Sequence, residues 1–173
     1  MKKIIFLFLV GFPFFAIAQE PLTFSEVIEV SGADKSELFT RGREWFNETF
    51  NSANDVLQIA DKETGELIGK CNFTFYYIFK YMGKNEIPAM IEFQISLWLK
   101  DGKYKYELTK FFDVSGVLIS TSDVSPLKPT FMVSKEKLDE NYLIIKGKVI
   151  EHAKKIVEEL KLKMSKSAKA SEW

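Results

Sequence analysis

The sequence predicts an α+β domain in which two helices pack on one face of an antiparallel sheet, in the order strand, helix, four strands, helix. Residues 34–50 and 134–164 place apolar side chains at steps of three and four, the period of amphipathic helices. Residues 56–113 alternate in steps of two, which is typical of strands with one buried face. Helices that cover one face of an antiparallel sheet give a two-layer domain.

The first strand and the first helix are read from residues 22–50. LTFSEVIEV, residues 22–30, mixes β-branched and aromatic residues with polar ones before Ser31-Gly32, as strands do. Asp34 and Glu37 have the spacing of a helix-capping box. The helix then gathers apolar or small residues on one side: Leu38, Phe39, Gly42, Trp45, Phe46, Thr49 and Phe50. An aromatic stripe at this period favours a core face over a ligand-binding box.

Two other residues of this helix carry specific expectations. Arg41 falls on the polar side, where we expect solvent exposure. Gly42 costs about 1 kcal/mol relative to alanine inside a helix. We therefore expect it to mark a close approach of the helix to the sheet.

Four further strands are predicted, joined as two hairpins. Gly65 supplies the left-handed position of the first turn, and Asp101-Gly102 closes the second. The strands cover Val56–Asp61, Glu66–Tyr77, Met90–Lys100 and Lys103–Asp113. Residues 114–133 hold no period and predict a long connection with room for a short edge strand. The second helix begins after Ser134, although residues 141–146 also fit a strand.

The first 18 residues predict an export signal. Lys2 and Lys3 precede an apolar run, and Ala18 suits a cleavage site. The alternative is a membrane anchor, but the run is broken by Gly11 and Pro13 and is shorter than the roughly 18 to 20 residues that span a bilayer. We expect a periplasmic or secreted chain without a membrane span, made of a single domain at 19–164 and a disordered polar tail at 165–173.

Composition narrows the function classes. Cleavage after Ala18 leaves 22 basic and 24 acidic residues, so the charge balance gives no support to a nucleic-acid partner. Cys71 is the only cysteine, which excludes an internal disulfide.

With these elements in order, the chain resembles a bacterial family of exported proteins known as a domain of unknown function with a TBP-like fold. The resemblance is carried by LTFSEVIEVSGADKSELFTRGREWF with Trp45, by ETGELIGKCNF, and by the return strand Asp-Gly-Lys-Tyr-Lys-Tyr-Glu. It spans most of residues 22–164. It implies a TBP-like fold and an exported location, and it brings no activity, substrate or catalytic residue.

The residues that could carry catalysis or bind metal are few. His152 is the only histidine and lies in line with apolar helix positions, and Cys71 alternates toward the core, so we expect both to be structural. Asp61, Glu63 and Glu66 crowd one turn but lack the spacing of a calcium loop. No hydrolase elbow, phosphate-binding glycine loop or zinc motif occurs, so neither a metal nor a cofactor is predicted.

The predicted solvent face of the sheet is the more informative feature. Two helices on the apolar face leave the other face in water. Outward aromatic rings among polar groups are typical of recognition surfaces, and the candidate interaction surface comprises Lys70, Asn72, Thr74, Tyr76, Glu92, Gln94, Ser96, Trp98 and Lys105. The alternative for this face is an ordinary solvated surface with one aromatic ring shielded by the 114–133 connection, since single exposed aromatic residues are normal. We therefore predict an exported noncatalytic module of the bacterial envelope that binds a protein, peptide or glycan. The alternatives are a small hydrolase with carboxylates assembled by the fold and a structural or oligomeric role.

Overall fold

The computed structural model describes residues 19–50, 52–78 and 86–165. The predicted leader and residues 166–173 of the predicted tail lie outside these ranges. Three helices and five strands follow in the order β1 (Phe24–Glu29), α1 (Lys35–Thr49), α2 (Ala53–Val56), β2 (Leu57–Asp61), β3 (Glu66–Ile78), β4 (Glu86–Lys100), β5 (Lys103–Asp113) and α3 (Lys135–Ser165). Apart from the four-residue α2, this is the predicted order.

The five strands form one antiparallel sheet in the order β1-β5-β4-β3-β2. Both predicted hairpin turns are present, with Gly65 at φ 73° and Gly102 at φ 74°, the left-handed conformation that glycine adopts without strain. Consecutive strands from β2 to β5 are neighbours, and β1 closes the far side of β5. The α+β class predicted from the sequence is therefore confirmed.

Helix α1 packs directly on the sheet. Its first turn is capped by the Asp34 carboxylate, which accepts a hydrogen bond from the Glu37 backbone nitrogen at 2.7 Å. A methyl group on Gly42 would lie 2.8 Å from Leu67 Cδ1 of β3, which confirms the predicted close approach. A methyl group on Gly69 would lie 2.7 Å from Phe46 Cε1. Because Gly69 pairs with Ile95, Phe46 and Ile95 share the covered face of the sheet.

The prediction that Arg41 is solvent-exposed is wrong. Its side chain is buried between the two long helices. One guanidinium nitrogen donates to the Met164 carbonyl at 2.6 Å and the other to Glu37 Oε1 at 2.5 Å. Periodicity within α1 places Arg41 away from the sheet, but the end of α3 crosses α1 at this point and encloses it.

Helix α3 is continuous through residues 141–146, which settles the open choice there in favour of helix. This stretch anchors the connection that precedes the helix. Tyr142 Oη accepts a hydrogen bond from the Ser120 nitrogen at 2.8 Å, and Lys146 Nζ donates to the Thr121 carbonyl at 2.7 Å and the Ser122 carbonyl at 2.9 Å. The connection also forms two isolated bridges, Phe112 with Leu118 and Pro21 with Ser120. Among the described residues, no helix combines the length and apolarity needed to cross a bilayer.

Candidate functional site on the open face of the sheet

The nine residues of the candidate interaction surface all lie on the sheet face opposite α1 and α3, which we call the open face. Residues directly opposite each other in an antiparallel pair point to the same side of a sheet. The register pairs members of the set with one another: Lys70 with Gln94, Asn72 with Glu92, and Trp98 with Lys105. Between them alternate the buried side chains of the core. Strand geometry thus gathers residues from three strands on one surface.

Trp98 is held in place at one end of the open face. Its indole nitrogen donates to Glu66 Oε1 at 2.8 Å, across the pair that joins β4 to β3. On the other side, Lys105 Nζ lies 5.0 Å from the ring centroid, within the range of a cation–π contact. Trp98 is therefore a half-buried, oriented ring whose polar atom already has a partner.

A pocket of about 210 Å³ opens in the middle of this face. Its lining includes three of the predicted residues, Lys70, Glu92 and Gln94, together with Gln58, Phe93, Lys110 and Phe112. Two irregularities border it. The pairing of β4 with β5 shifts between Glu92 and Gln94, where Lys110 adopts φ 57°, and the pairing of β2 with β3 shifts at Gln58. Bulges of this kind bend a strand and redirect a side chain, and here they bring Lys110 and Gln58 to the pocket.

An ion pair and two hydrogen bonds between neighbouring side chains fix the positions of the polar groups in the pocket. Lys70 Nζ lies 2.7 Å from Glu92 Oε2, and Lys110 Nζ donates to Gln94 Oε1 at 3.0 Å. The Gln94 amide nitrogen in turn donates to Ser96 Oγ at 3.1 Å. Ser96 is only 1% exposed, so it lies on the predicted face but acts by fixing Gln94 and not by meeting a ligand itself.

The exposed ring of Phe112 is an apolar part of the pocket lining. Phe112 is 36% exposed, and Tyr76 and Met90 are also exposed on the same face. The arrangement presents two ammonium groups, one carboxylate and amide groups next to aromatic surface. Such a surface can bind a polar ligand through several directional hydrogen bonds while an apolar part of the ligand rests on the rings.

Lys110, Phe112 and Gln58 were missed by sequence reasoning because strict alternation does not predict where a bulge occurs. One signal was available. Phe111 and Phe112 are adjacent, and consecutive residues of a regular strand point to opposite faces, so outside a bulge one of the two rings must leave the core. Phe111 is buried in the core, and Phe112 is the residue that turns to the open face.

The other candidate residues have structural surroundings. Burial raises the pKa of the Cys71 thiol to about 12. The His152 ring stacks on Phe73 with centroids 4.7 Å apart, and its Nδ1 lies 3.0 Å from the Lys148 carbonyl oxygen. In the charged turn, hydrogen bonds from the Thr64 and Glu63 backbone lower the pKa of Asp61. Within residues 19–50, 52–78 and 86–165, no three histidine, cysteine or acidic side chains gather closely enough to hold a metal ion.

The fold and its open face define a class of protein, an α+β domain with a one-sided helical layer. The chain belongs to the family described as a domain of unknown function (DUF4468) with TBP-like fold, whose profile matches residues 24–112.

Two solved structures resemble the chain. A DUF4468 family protein from Bacteroides ovatus has a TM-score of 0.61 at 15% identity, with 86% of this chain and 89% of that chain covered. A TBP-like protein from Parabacteroides distasonis has a TM-score of 0.47 at 11% identity, with 82% of this chain and 93% of that one covered. The comparison with curated proteins found no match. The first structure supports the fold alone, and the family description carries no activity.

Proposed function

We propose that the processed chain is a noncatalytic binding module of the bacterial cell envelope that holds a protein, peptide or glycan through the open face of its sheet. The observation that carries the proposal is the pocket between Lys70, Glu92 and Lys110, whose polar groups are ordered beside the exposed Phe112 ring. The envelope location rests on the leader, in which two lysines precede an apolar run that stops at Ala18.

The balance of charges favours an uncharged, hydrogen-bonding ligand. Lys70 is already paired with Glu92, and Lys105 lies over Trp98 and 3.6 Å from Glu107. Lys110 donates to the Gln94 amide oxygen instead of an acid, but a face on which the other two of these lysines lie beside acids lacks the strong positive field that attracts polyanions. Backbone amides of an extended peptide or the hydroxyl groups of a glycan match the ordered amide and ammonium groups better than a phosphate backbone does.

The test compares pocket variants with matched surface controls. Lys110→Ala and Phe112→Ala remove one polar and one aromatic group from the pocket, and Lys154→Ala and Leu143→Ala remove equivalent exposed groups from α3. Each purified chain is incubated with an envelope fraction of the producing bacterium and, separately, with an array of peptides and glycans. We expect the two pocket variants to lose ligands that both controls retain. Equal retention by all four variants would refute binding at this face.

The export component has its own measurement. Expression of the full chain in a bacterium, followed by fractionation and N-terminal sequencing, should recover a product that begins at Gln19 outside the cytoplasm. An unprocessed product confined to the cytoplasm would contradict the proposed location while leaving the binding proposal to its own test.

The hydrolase alternative stays a prediction. A carboxyl group that acts as a general acid near neutral pH needs a raised pKa. Five described carboxyl groups have lowered pKa values, chiefly because they accept hydrogen bonds: Glu26, Asp61, Glu136, Asp139 and Glu151. No specific observation therefore favours this alternative over binding.

A further inference from the structure

Strand β3 has a long edge beside which no described strand lies. On one side, all 13 of its residues pair with β4. On the other side, β2 pairs with only four of them, Glu66–Gly69. Within the described part of the chain, no strand pairs with the remaining nine residues, Lys70–Ile78, on the side away from β4. Backbone amide and carbonyl groups along such an edge are a template for another strand.

Residues 70–78 largely lack four of the features by which proteins protect an open strand from pairing. Those features are short length, charged side chains, prolines and bulges. The outer strand β1 has six residues, two of them glutamates, and β2 has five residues with an irregular register. The β3 segment KCNFTFYYI has one charged residue, no proline and no glycine. Of the open edges in the described sheet, β3 is therefore the one best suited to strand addition.

We propose that this edge pairs antiparallel with the same edge of a second copy of the chain, which would join the two sheets into one. Two identical strands that pair antiparallel are related by a twofold axis perpendicular to the joined sheet. Because residues opposite each other must lie on the same face, this axis passes beside one residue of β3 and not between two consecutive residues. With Thr74 at the axis, all nine residues from Lys70 to Ile78 find a partner. Moving the axis one residue in either direction leaves two of them unpaired.

The side chains in this register are compatible with self-pairing. On the open face, Asn72 meets the partner's Tyr76 and Thr74 meets its own copy, a favourable threonine pair. On the covered face, Phe73 meets the partner's Phe75. The one charged residue, Lys70, lies opposite Ile78 of the partner subunit and about 27 Å along the strand direction from the second Lys70. At that distance the repulsion between the two lysines is screened by salt.

The paired arrangement would also extend the open face. Because opposite residues share a face, the two open faces point the same way, and their pockets would lie on one continuous surface. This inference does not depend on the proposed function, since it concerns the edge of β3 and is tested by assembly state alone.

The test measures self-association of the processed chain by analytical ultracentrifugation from about 1 µM to about 1 mM. Thr74→Lys would place two lysines directly opposite each other at the axis, which should weaken the dimer about fivefold. Thr74→Glu should weaken it similarly, and an equal mixture of the two variants should recover the dimer by pairing lysine with glutamate. Ser25→Lys adds the same charge on the same face of the distant strand β1 and should leave the dimer unchanged.

Each outcome decides the proposal. A chain that stays monomeric over the whole range overturns it. A dimer that Thr74→Lys weakens no more than Ser25→Lys does also overturns it, since the contact would then lie elsewhere. Unchanged circular dichroism and melting temperature of each variant show that a loss of dimer is not a loss of fold.

Discussion

Replacement of Gly69 by alanine tests the spacing between the sheet and α1. Gly69 lies in β3 beneath the Phe46 ring, and the added methyl carbon would fall 2.7 Å from Phe46 Cε1 and 3.3 Å from Cζ. The ring cannot move aside easily, because Phe46 is fully buried and its neighbours Trp45 and Phe50 have ring centroids 5.0 Å and 6.0 Å away.

The change in the free energy of unfolding caused by Gly69→Ala follows from two opposing effects. Alanine lowers the entropy lost on folding and so favours the strand by about 0.5 to 1 kcal/mol. Overpacking a filled core costs about 1 to 3 kcal/mol, and a contact this short with a confined ring belongs in the upper part of that range. We expect Gly69→Ala to lower the free energy of unfolding by about 1 to 2 kcal/mol.

Urea unfolding followed by tryptophan fluorescence measures the change, with Trp45 as a reporter close to the altered contact. Gly147→Ala is the matched control. Gly147 is exposed in α3, and a methyl group there meets nothing within 4 Å, so this substitution should stabilise the protein by about 0.5 to 1 kcal/mol. If Gly69→Ala proved as stable as the unsubstituted chain, Phe46 would not lie against β3 and the helix would sit farther from the sheet.

Three further predictions concern single side chains. Lys146→Met removes the hydrogen bonds to the Thr121 and Ser122 carbonyl groups, so amide hydrogen exchange in the 114–133 connection should become faster. Lys148→Met removes only an exposed ion pair and should leave this exchange unchanged. The Cys71 thiol, with its pKa raised by burial to about 12, should react with a thiol reagent only in denaturant, and rapid labelling of the folded chain would contradict this burial. Hydrogen bonds from Lys161 and Tyr106 lower the pKa of Glu26. The Glu26 carboxylate therefore stabilises the fold above its unfolded-state pKa of about 4.3, and this stabilisation is lost as pH falls through the lower folded-state pKa. The difference in stability between the unsubstituted chain and Glu26→Gln should therefore shrink from about pH 6 to pH 3, and a difference that stays constant would refute the contact.

The layers of the fold were predictable because burial imposes a period on the sequence. The alternation from Ile91 to Leu99 identified the covered face of β4, and the stripe that includes Trp45 and Phe46 identified the face of α1 that packs on it. Arg41 could not be placed in this way, since its burial depends on Met164, a residue 123 positions away.

The candidate surface was predictable to the same extent. Alternation identified the face that carries Lys70, Gln94 and Trp98, because that face follows from the strands alone. The pocket depends instead on the positions of the register shifts in two strand pairs. The shift in β5 changes the backbone conformation at Lys110, but the hydrophobic alternation up to Leu108 is the same with or without it. Apart from the adjacent Phe111 and Phe112, no local sequence pattern predicts the position of this register shift.

The placement of both long helices on one side of the sheet separates two kinds of evolutionary constraint. Side chains on the covered side must keep their volumes, since each of them fills space against its neighbours. Most side chains on the open face fill no such space, so substitutions there should cost little stability. A scaffold of this design can vary the side chains of its open face while its architecture persists, and the DUF4468 family protein from Bacteroides ovatus shares the fold at 15% identity.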